Sequence, residues 1–425
     1  MYQRGEWDEM KKIWLFNHYA TNMFYDKGGR HYSFSENLIK NGYEPTIFCA
    51  STLHNTDKNL ISSRGRYKTD ICGQVPFVFV KASDYKGNGI SRVLNMLSFF
   101  FNLFPVTKKI KIENGKPDVI LASSVHPLTC IAGIFIAIRY KVPCIIEIRD
   151  LWPESIVALS GKFKRGNIII KVLYFLEKWI YKKADKLIFT VEGGRNYIIE
   201  KGWDNAHGGP IDLSKIYHIN NGVDLETFNY NKVQFTFNDA DLDNASIFKA
   251  VYTGSIRKVN NLKILVDIAR KIQNKGYDKV KIIVYGDGDH REYLEQYVKC
   301  NGINNIIFKG RVDKKYIPFI LSKCDITILD LYLNDLYRFG ISPNKLFDYF
   351  ASGKPILSLE HGYDLIKKYQ CGITIGSTNV DEIAKVITQF CDMDDNQIKL
   401  MSENALKAAK DYDFKVLTNK LIELF

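Results

Sequence analysis

The chain has 425 residues, 46% of them hydrophobic and 25% charged, which excludes disordered, collagen-like and coiled-coil proteins and leaves room for two sizeable domains. A formal net charge of +12 favours anionic partners such as nucleotides, phospholipids or nucleic acid. The eight cysteines are scattered without a C-x-x-C pair, so reduced thiols in a cytosolic protein are expected rather than a disulfide framework.

Residues 1–10 (MYQRGEWDEM) are charged, lack the apolar core of a signal peptide and read as an N-terminal extension. A buried-type strand follows at 13–16, then the turn Lys27-Gly28-Gly29-Arg30, a helical pattern through Phe34, Leu38 and Ile39, and a strand at 46–49. Strand, glycine turn, helix, strand opens a doubly wound α/β domain. Strands at 77–80, 118–122, 143–148 and 186–190 continue it, with helical stretches at 128–138 and 168–184. Such alternation predicts a parallel sheet covered on both faces.

After Phe228 the pattern restarts, with strands at 249–253, 280–285, 306–309, 325–329 and 355–359 and helices at 262–272, 292–300, 316–322, 344–351 and 380–390. The fold class is therefore α/β, two Rossmann-like domains (11–228 and 229–408) facing a cleft. A C-terminal helix, 409–425, is expected to pack back on the first. No window holds the ~18–20 uninterrupted apolar residues of a membrane span. Residues 96–104 (MLSFFFNLF), followed by Lys108, Lys109 and Lys111, fit either a core helix or one lying on an anionic leaflet.

The richest segment is 339–355, FGISPNKLFDYFASGKP. Ser342 is a good N-cap, Pro343 suits the first helical position, and Gly353 suits the helix end. The free amides and positive dipole at such a start form a diphosphate site. Lys345 adds a cation in the first turn, and Asp348 follows three residues later. A cation there opposes the dipole unless an anion is bound.

This segment, together with Glu147-Ile-Arg-Asp150-Leu-Trp-Pro, Asn221-Gly-Val-Asp224, Val251-Tyr-Thr-Gly254 and Tyr285-Gly-Asp-Gly288, resembles the retaining nucleotide-sugar glycosyltransferases of the GT-B architecture. It is similar within them to the family 4 branch that builds bacterial O-antigens and capsules, including N-acetylfucosaminyl transferases. The motifs occur in the family's order across nearly the whole chain.

The resemblance implies roles. Asp348 stands where the second acid of a Glu-x7-Glu motif holds the nucleotide ribose; the first acid is replaced by Gly340. Amides from Ile341, Ser342, Pro343 and Asn344 would complete that grip. In the diphosphate turn the family's Arg and Lys positions hold Ser255 and Asn260, so Arg257, with Lys258 beside it, is the substitute, Arg being suited to bidentate phosphate contact. Gly254, Gly286 and Arg311 would line the donor site. Gly286-Asp287-Gly288-Asp289 reads as a tight turn at the nucleotide, not as a metal loop. Gly28 and Gly29 would face a donor phosphate. His126, after a strand's carboxyl end, would contact the transferred sugar. His18, Arg30, Glu147, Arg149 and Asp150 would line the acceptor side.

His126, Arg257 and Lys345 are thus the expected catalytic set, with no metal and no cofactor beyond the nucleotide-sugar substrate, expected to be UDP-linked. Retention would proceed by front-face displacement, in which the leaving diphosphate takes the acceptor's proton and positioning supplies most of the rate. The expected partners are a nucleotide-sugar and a lipid-linked glycan at the cytoplasmic face of the plasma membrane. A nucleotide-sugar epimerase, an NAD enzyme and a non-catalytic scaffold share the fold; neither first turn carries the G-x-G-x-x-G of an NAD site. No nucleic-acid-binding motif is present.

Overall fold

The computed structural model describes residues 10–329 and 334–425, apart from 55, 57, 63, 88, 125 and 161–163. The chain divides into two compact units, one running to Asn220 and taking in Leu417–Phe425, the other spanning Asn221–Val416.

In the first unit the order is β1 (Lys12–Phe16), α1 (Thr21–Asp26), α2 (Arg30–Lys40), β2 (Glu44–Ala50), β3 (Tyr67–Cys72), β4 (Val75–Val80), α3 (Ile90–Asn114), β5 (Val119–Ser123), α4 (Pro127–Tyr140) and β6 (Cys144–Ile148). Then come α5 (Glu154–Ser160), α6 (Ile168–Lys183), β7 (Lys186–Phe189), α7 (Gly194–Glu200) and β8 (Ile216–His218). The eight strands lie in the order β3-β4-β2-β1-β5-β6-β7-β8, parallel except for the β3–β4 hairpin. Ile13, Leu15 and Phe16 of β1 are wholly buried, as expected of a central strand covered on both faces. The hairpin turns at Gly73, whose φ of +60° suits a two-residue loop.

The second unit holds α8 (Leu225–Gln234), β9 (Phe248–Thr253), α9 (Lys263–Asn274), β10 (Val280–Tyr285), α10 (Arg291–Cys300), β11 (Ile306–Gly310), α11 (Ile317–Ser322) and β12 (Ile326–Ile328). It continues with α12 (Asn344–Ser352), β13 (Ile356–Leu359), α13 (Leu365–Tyr369), β14 (Gly372–Ile375), α14 (Val380–Cys391) and α15 (Asp395–Asp411), and α16 (Phe414–Ile422) leads back to the first unit. Its six parallel strands run β11-β10-β9-β12-β13-β14. In each sheet the first strand is interior and the chain winds first one way and then the other. Strand order therefore reverses between β1 and β5 and between β9 and β12, where ligands bind in doubly wound sheets.

Three expectations need correction. The division falls after Asn220 rather than Phe228, because the next residues bond within the second unit: Asn221 to Ser342, and Val223 to Tyr412 and Phe414. Residues 409–416 go with them. The pattern also missed α1, β3, α5, α7, β8, α8, α13, β14 and α15. Finally, 96–104 is not a nine-residue apolar run but the middle of the 25-residue α3, which reaches a mean hydropathy of 1.2 over 18 residues, enough by length and composition to cross a bilayer. Phe99 and Leu103 nevertheless face the core while Phe101 faces out.

Candidate active site

In the second unit the tips of β9, β10 and β11 are laced together. Gly254 N donates to Tyr285 O (3.0 Å), Ile256 N to Asp287 O (2.9 Å) and Gly286 N to Gly310 O (2.8 Å). Gly286 has φ +153°, and a Cβ on it would lie 1.8 Å from Gly254 O; one on Gly288 would lie 2.4 Å from Ile256 O. The neighbouring loop alone thus requires both glycines, whatever binds above them. The two acids of this turn are engaged locally, Asp289 Oδ1 accepting from Lys258 N (3.1 Å) and Asp287 Oδ1 from Gly288 N (2.9 Å).

Asn260, at the family's lysine position, ties its own loop: Nδ2 donates to Ser255 O and Oγ, both at 2.8 Å. Arg257 and Lys258 are exposed beside it. Arg311 is also exposed, whereas Arg291 Nη1 lies 2.9 Å from where a Cβ on Gly310 would be.

At the β9–β12 reversal, Thr253 N donates to the Tyr349 hydroxyl (2.9 Å), fixing α12 against the tip of β9. Ser342 is not the N-cap. That position is Pro343 (φ −74°, ψ 135°), and Asn344 opens the helix. The Ser342 hydroxyl instead accepts from Asn221 N (3.1 Å), and its carbonyl accepts from Asn221 Nδ2 (2.7 Å). Gly340 has φ +96° and closes a 3-10 turn onto Tyr337 O (2.9 Å), a conformation in which glutamate would be strained. Ile341 is half-buried and Asn344 exposed. Lys345 Nζ stands 4.3 Å over the Tyr252 ring, and one turn on, burial pushes the Asp348 carboxyl above its ordinary range.

In the first unit the predicted acceptor residues separate. Arg30 and Glu147 are 3% and 0% exposed. Arg30 Nε donates to Glu147 Oε1 (2.7 Å), Nη1 to Asn220 O (2.5 Å) and Nη2 to Ile219 O (2.8 Å). Ser123 Oγ donates to Glu147 Oε2 (2.8 Å), and His31 Nε2 lies 2.9 Å from the same oxygen. Asn17 Oδ1 accepts from Tyr19 N, so its Nδ2 donates to His31 Nδ1 (2.7 Å) and His31 carries its proton on Nε2. Desolvation would raise the Glu147 carboxyl, but Arg30 and His31 hold it well below the ordinary range. Both residues are therefore scaffold rather than acceptor contacts, because every oxygen and nitrogen named is already committed. Arg149, half-buried, and Asp150, exposed, remain at the surface. Gly29 (φ +104°) starts α2 after Gly28, its carbonyl accepting from Ser33 N.

His18 and His126 meet at the β1–β5 reversal, ring centroids 4.7 Å apart, and both are buried. Asn95 Nδ2 donates to Ser83 O (2.5 Å) and Thr52 Oγ1 (3.1 Å), which turns Oδ1 to His18 Nε2 at 2.7 Å and places the proton there. Burial lowers the His18 pKa to about 3 and holds His126 well below its usual value. Both Nδ1 atoms are buried without a hydrogen-bond partner. Tyr19 covers the pair, its hydroxyl accepting from Arg92 Nε (2.9 Å) and its ring 4.4 Å from His54. The sequence reading missed Asn17, His31, Asn95 and Tyr349. Asn95 had a signal, as the polar member of an apolar Asn95–Phe99–Leu103 stripe at four-residue spacing.

Residues 31–227 match the family model described as Glycosyltransferase Family 4, and residues 248–393 the one described as Glycosyl transferases group 1. A curated relative, TuaH of Bacillus subtilis (strain 168), named for glycosyl transfer in teichuronic acid biosynthesis, is 23% identical over 287 residues, 66% of this chain and 66% of its own length. Among solved structures, sucrose-phosphate synthase from Thermosynechococcus elongatus superposes with a TM-score of 0.67 at 13% identity, covering 97% of this chain and 98% of that one. Anabaena Alr3699/HepE in complex with UDP-glucose gives 0.61 at 15% identity, covering 97% and 98%. One glycosyltransferase model thus matches each unit, and the α/β fold of two Rossmann-like sheets superposes on these solved structures over nearly the whole chain.

Proposed function

We propose that the protein is a retaining glycosyltransferase that moves a sugar of N-acetylhexosamine type from a UDP-sugar to a polyprenyl-diphosphate-linked glycan, in the synthesis of a bacterial surface polysaccharide such as O-antigen or capsule. The observation that carries this reading is the start of α12 at the β9–β12 reversal. There Lys345 and Asp348 sit one turn apart below an extended Pro343 at a helix start that makes no side-chain cap bond, which sets the positive end of a helix and a cation toward a diphosphate and a desolvated carboxylate toward ribose hydroxyls. The TuaH likeness supports a surface-polysaccharide role, and the HepE complex supports a UDP-sugar donor.

In this reading the bond from the anomeric carbon to the diphosphate oxygen breaks as the acceptor oxygen bonds to the same face of that carbon. The acceptor's proton passes to the departing diphosphate. Lys345, Arg257 and the α12 amides stabilise the charge that develops on the leaving group, and His126 adjoins the transferred sugar. No metal ion takes part. The enzyme works in the cytoplasm, on the inner face of the plasma membrane.

The test is thermal stability with UDP, GDP, dTDP, CMP or NAD in the presence of EDTA. A selective rise with UDP, lost in Asp348→Ala, is expected and should scale as ligand linkage requires. A response to NAD alone would overturn the transferase reading, and silence with every nucleotide would favour a non-catalytic scaffold.

A further inference from the structure

Helix α6 carries apolar residues on both its inward and its outward side. Inward it buries Glu177 with Ile170, Ile180 and Tyr181, while Ile168 (72% exposed), Val172 (54%) and Phe175 (71%) form an outward stripe at i, i+4 and i+7. Glu177 is no stray acid. It accepts from the Tyr181 and Tyr197 hydroxyls at 2.8 and 3.0 Å, and burial pushes its carboxyl up to about 8, so it is uncharged at neutral pH. Neighbouring α4 extends the stripe with Phe135 (47%) and Ile138 (61%), the Phe135 ring lying 5.7 Å from Trp179 of α6.

The charges on these two helices have one sign. Arg139, Lys171, Lys182 and Lys183 are exposed and Lys178 half-exposed, and neither helix contains any acid besides Glu177. On the α6 wheel Lys171, Lys178 and Lys182 flank the apolar stripe on one side. An exposed apolar band edged by cations suits the boundary between headgroups and acyl chains of an anionic leaflet. A second copy of the same face would bring cations against cations with no carboxylate to receive them.

We infer that the outward face of α4 and α6 is a docking surface for an anionic lipid bilayer. It replaces 96–104 of α3 as the membrane contact, since that stretch gives Phe99 and Leu103 to the core. The inference rests on the function proposed above only for the choice of leaflet.

The experiment is flotation of the full chain with vesicles of phosphatidylcholine, alone or mixed with phosphatidylglycerol, at low and high salt. Binding is expected only with phosphatidylglycerol and should weaken with salt. It should fall at least about tenfold in Val172→Ser/Phe175→Ser, which removes apolar area from the interface, and in Lys171→Glu/Lys178→Glu, which reverses the charge beside an anionic surface. These side chains face solvent, so melting and the UDP response should be unchanged. Absence of vesicle binding, or binding lost in Phe101→Ser but kept in both α6 variants, would overturn the inference while an intact UDP response leaves the transferase reading standing. Light scattering that shows a dimer dissolved by Val172→Ser/Phe175→Ser would overturn it as well.

Discussion

Arg30 and Glu147 lie 117 positions apart in sequence, yet the guanidinium Nε and carboxylate Oε1 meet at 2.7 Å with both side chains out of solvent. The same arginine binds the carbonyls of Ile219 and Asn220, and the same glutamate binds Ser123 and His31. One buried pair thereby joins the start of α2, the tips of β5 and β6, and the chain leaving β8.

Breaking one half of a desolvated pair leaves the other charge stranded, at a cost of about 3–5 kcal/mol. Glu147→Gln should therefore lower unfolding stability by that amount in urea titrations. Arg30→Lys should lose most of it too, because a single ammonium cannot reach two carbonyls and a carboxylate in a fork. A variant that keeps wild-type stability but loses acceptor binding would restore the acceptor-contact role.

The histidine pair makes stability sensitive to acid. The His18 pKa falls from 6.5 unfolded to about 3 folded, because burial penalises the charged ring. The unfolded chain thus binds the extra proton between those values, and stability is fully present above pH 6.5 and lost as pH falls below it. At pH 5 the loss from His18 is about 2 kcal/mol. His18→Gln should accordingly be penalised less at pH 5 than at pH 7.5 in urea titrations, and an equal penalty at the two values would refute the account.

Gly286→Ala places a methyl 1.8 Å from Gly254 O at φ +153°. Two backbone segments cannot both keep their positions, so a loss of about 2–4 kcal/mol is expected. Gly276→Ala also has a positive φ (+79°) but nothing within 4 Å, and should cost less than half as much. Equal losses would mean that backbone conformation, not the adjacent loop, sets the glycine requirement.

Apolar runs announced the central strands of both sheets because those strands are covered on two faces. The edge strand β3 (YKTDIC) was silent, since its lysine and aspartate are solvent-facing, and β8 and β14 are too short to carry a pattern. Candidate site residues could be picked out where local turn chemistry marks a helix start, as at Lys345 and Asp348. They were misread where partners come from distant strands. Nothing near Glu147 in sequence names Arg30 or His31, and Ser342 has every local mark of a cap but is taken by Asn221.

In the proposed donor site Asp348 sets binding against stability. Burial raises its carboxyl pKa above 3.8, so at neutral pH the folded chain carries a charge held less comfortably than in the unfolded one. For an acid shifted upward, the stability present below the unfolded value is lost as pH rises through the folded one. Asp348→Asn should therefore melt higher than wild type at pH 7, with the gap closing below about pH 3.8. Under the proposed function the same change removes a charged acceptor for ribose hydroxyls, whose hydrogen bonds are worth about 1.5–3 kcal/mol, so UDP affinity by calorimetry should drop about 10- to 100-fold. The two readouts move in opposite directions, as for a site residue held at a cost to the fold. A variant that melts lower and binds UDP normally would make Asp348 a structural residue and leave Lys345 and the α12 amides to hold the nucleotide alone.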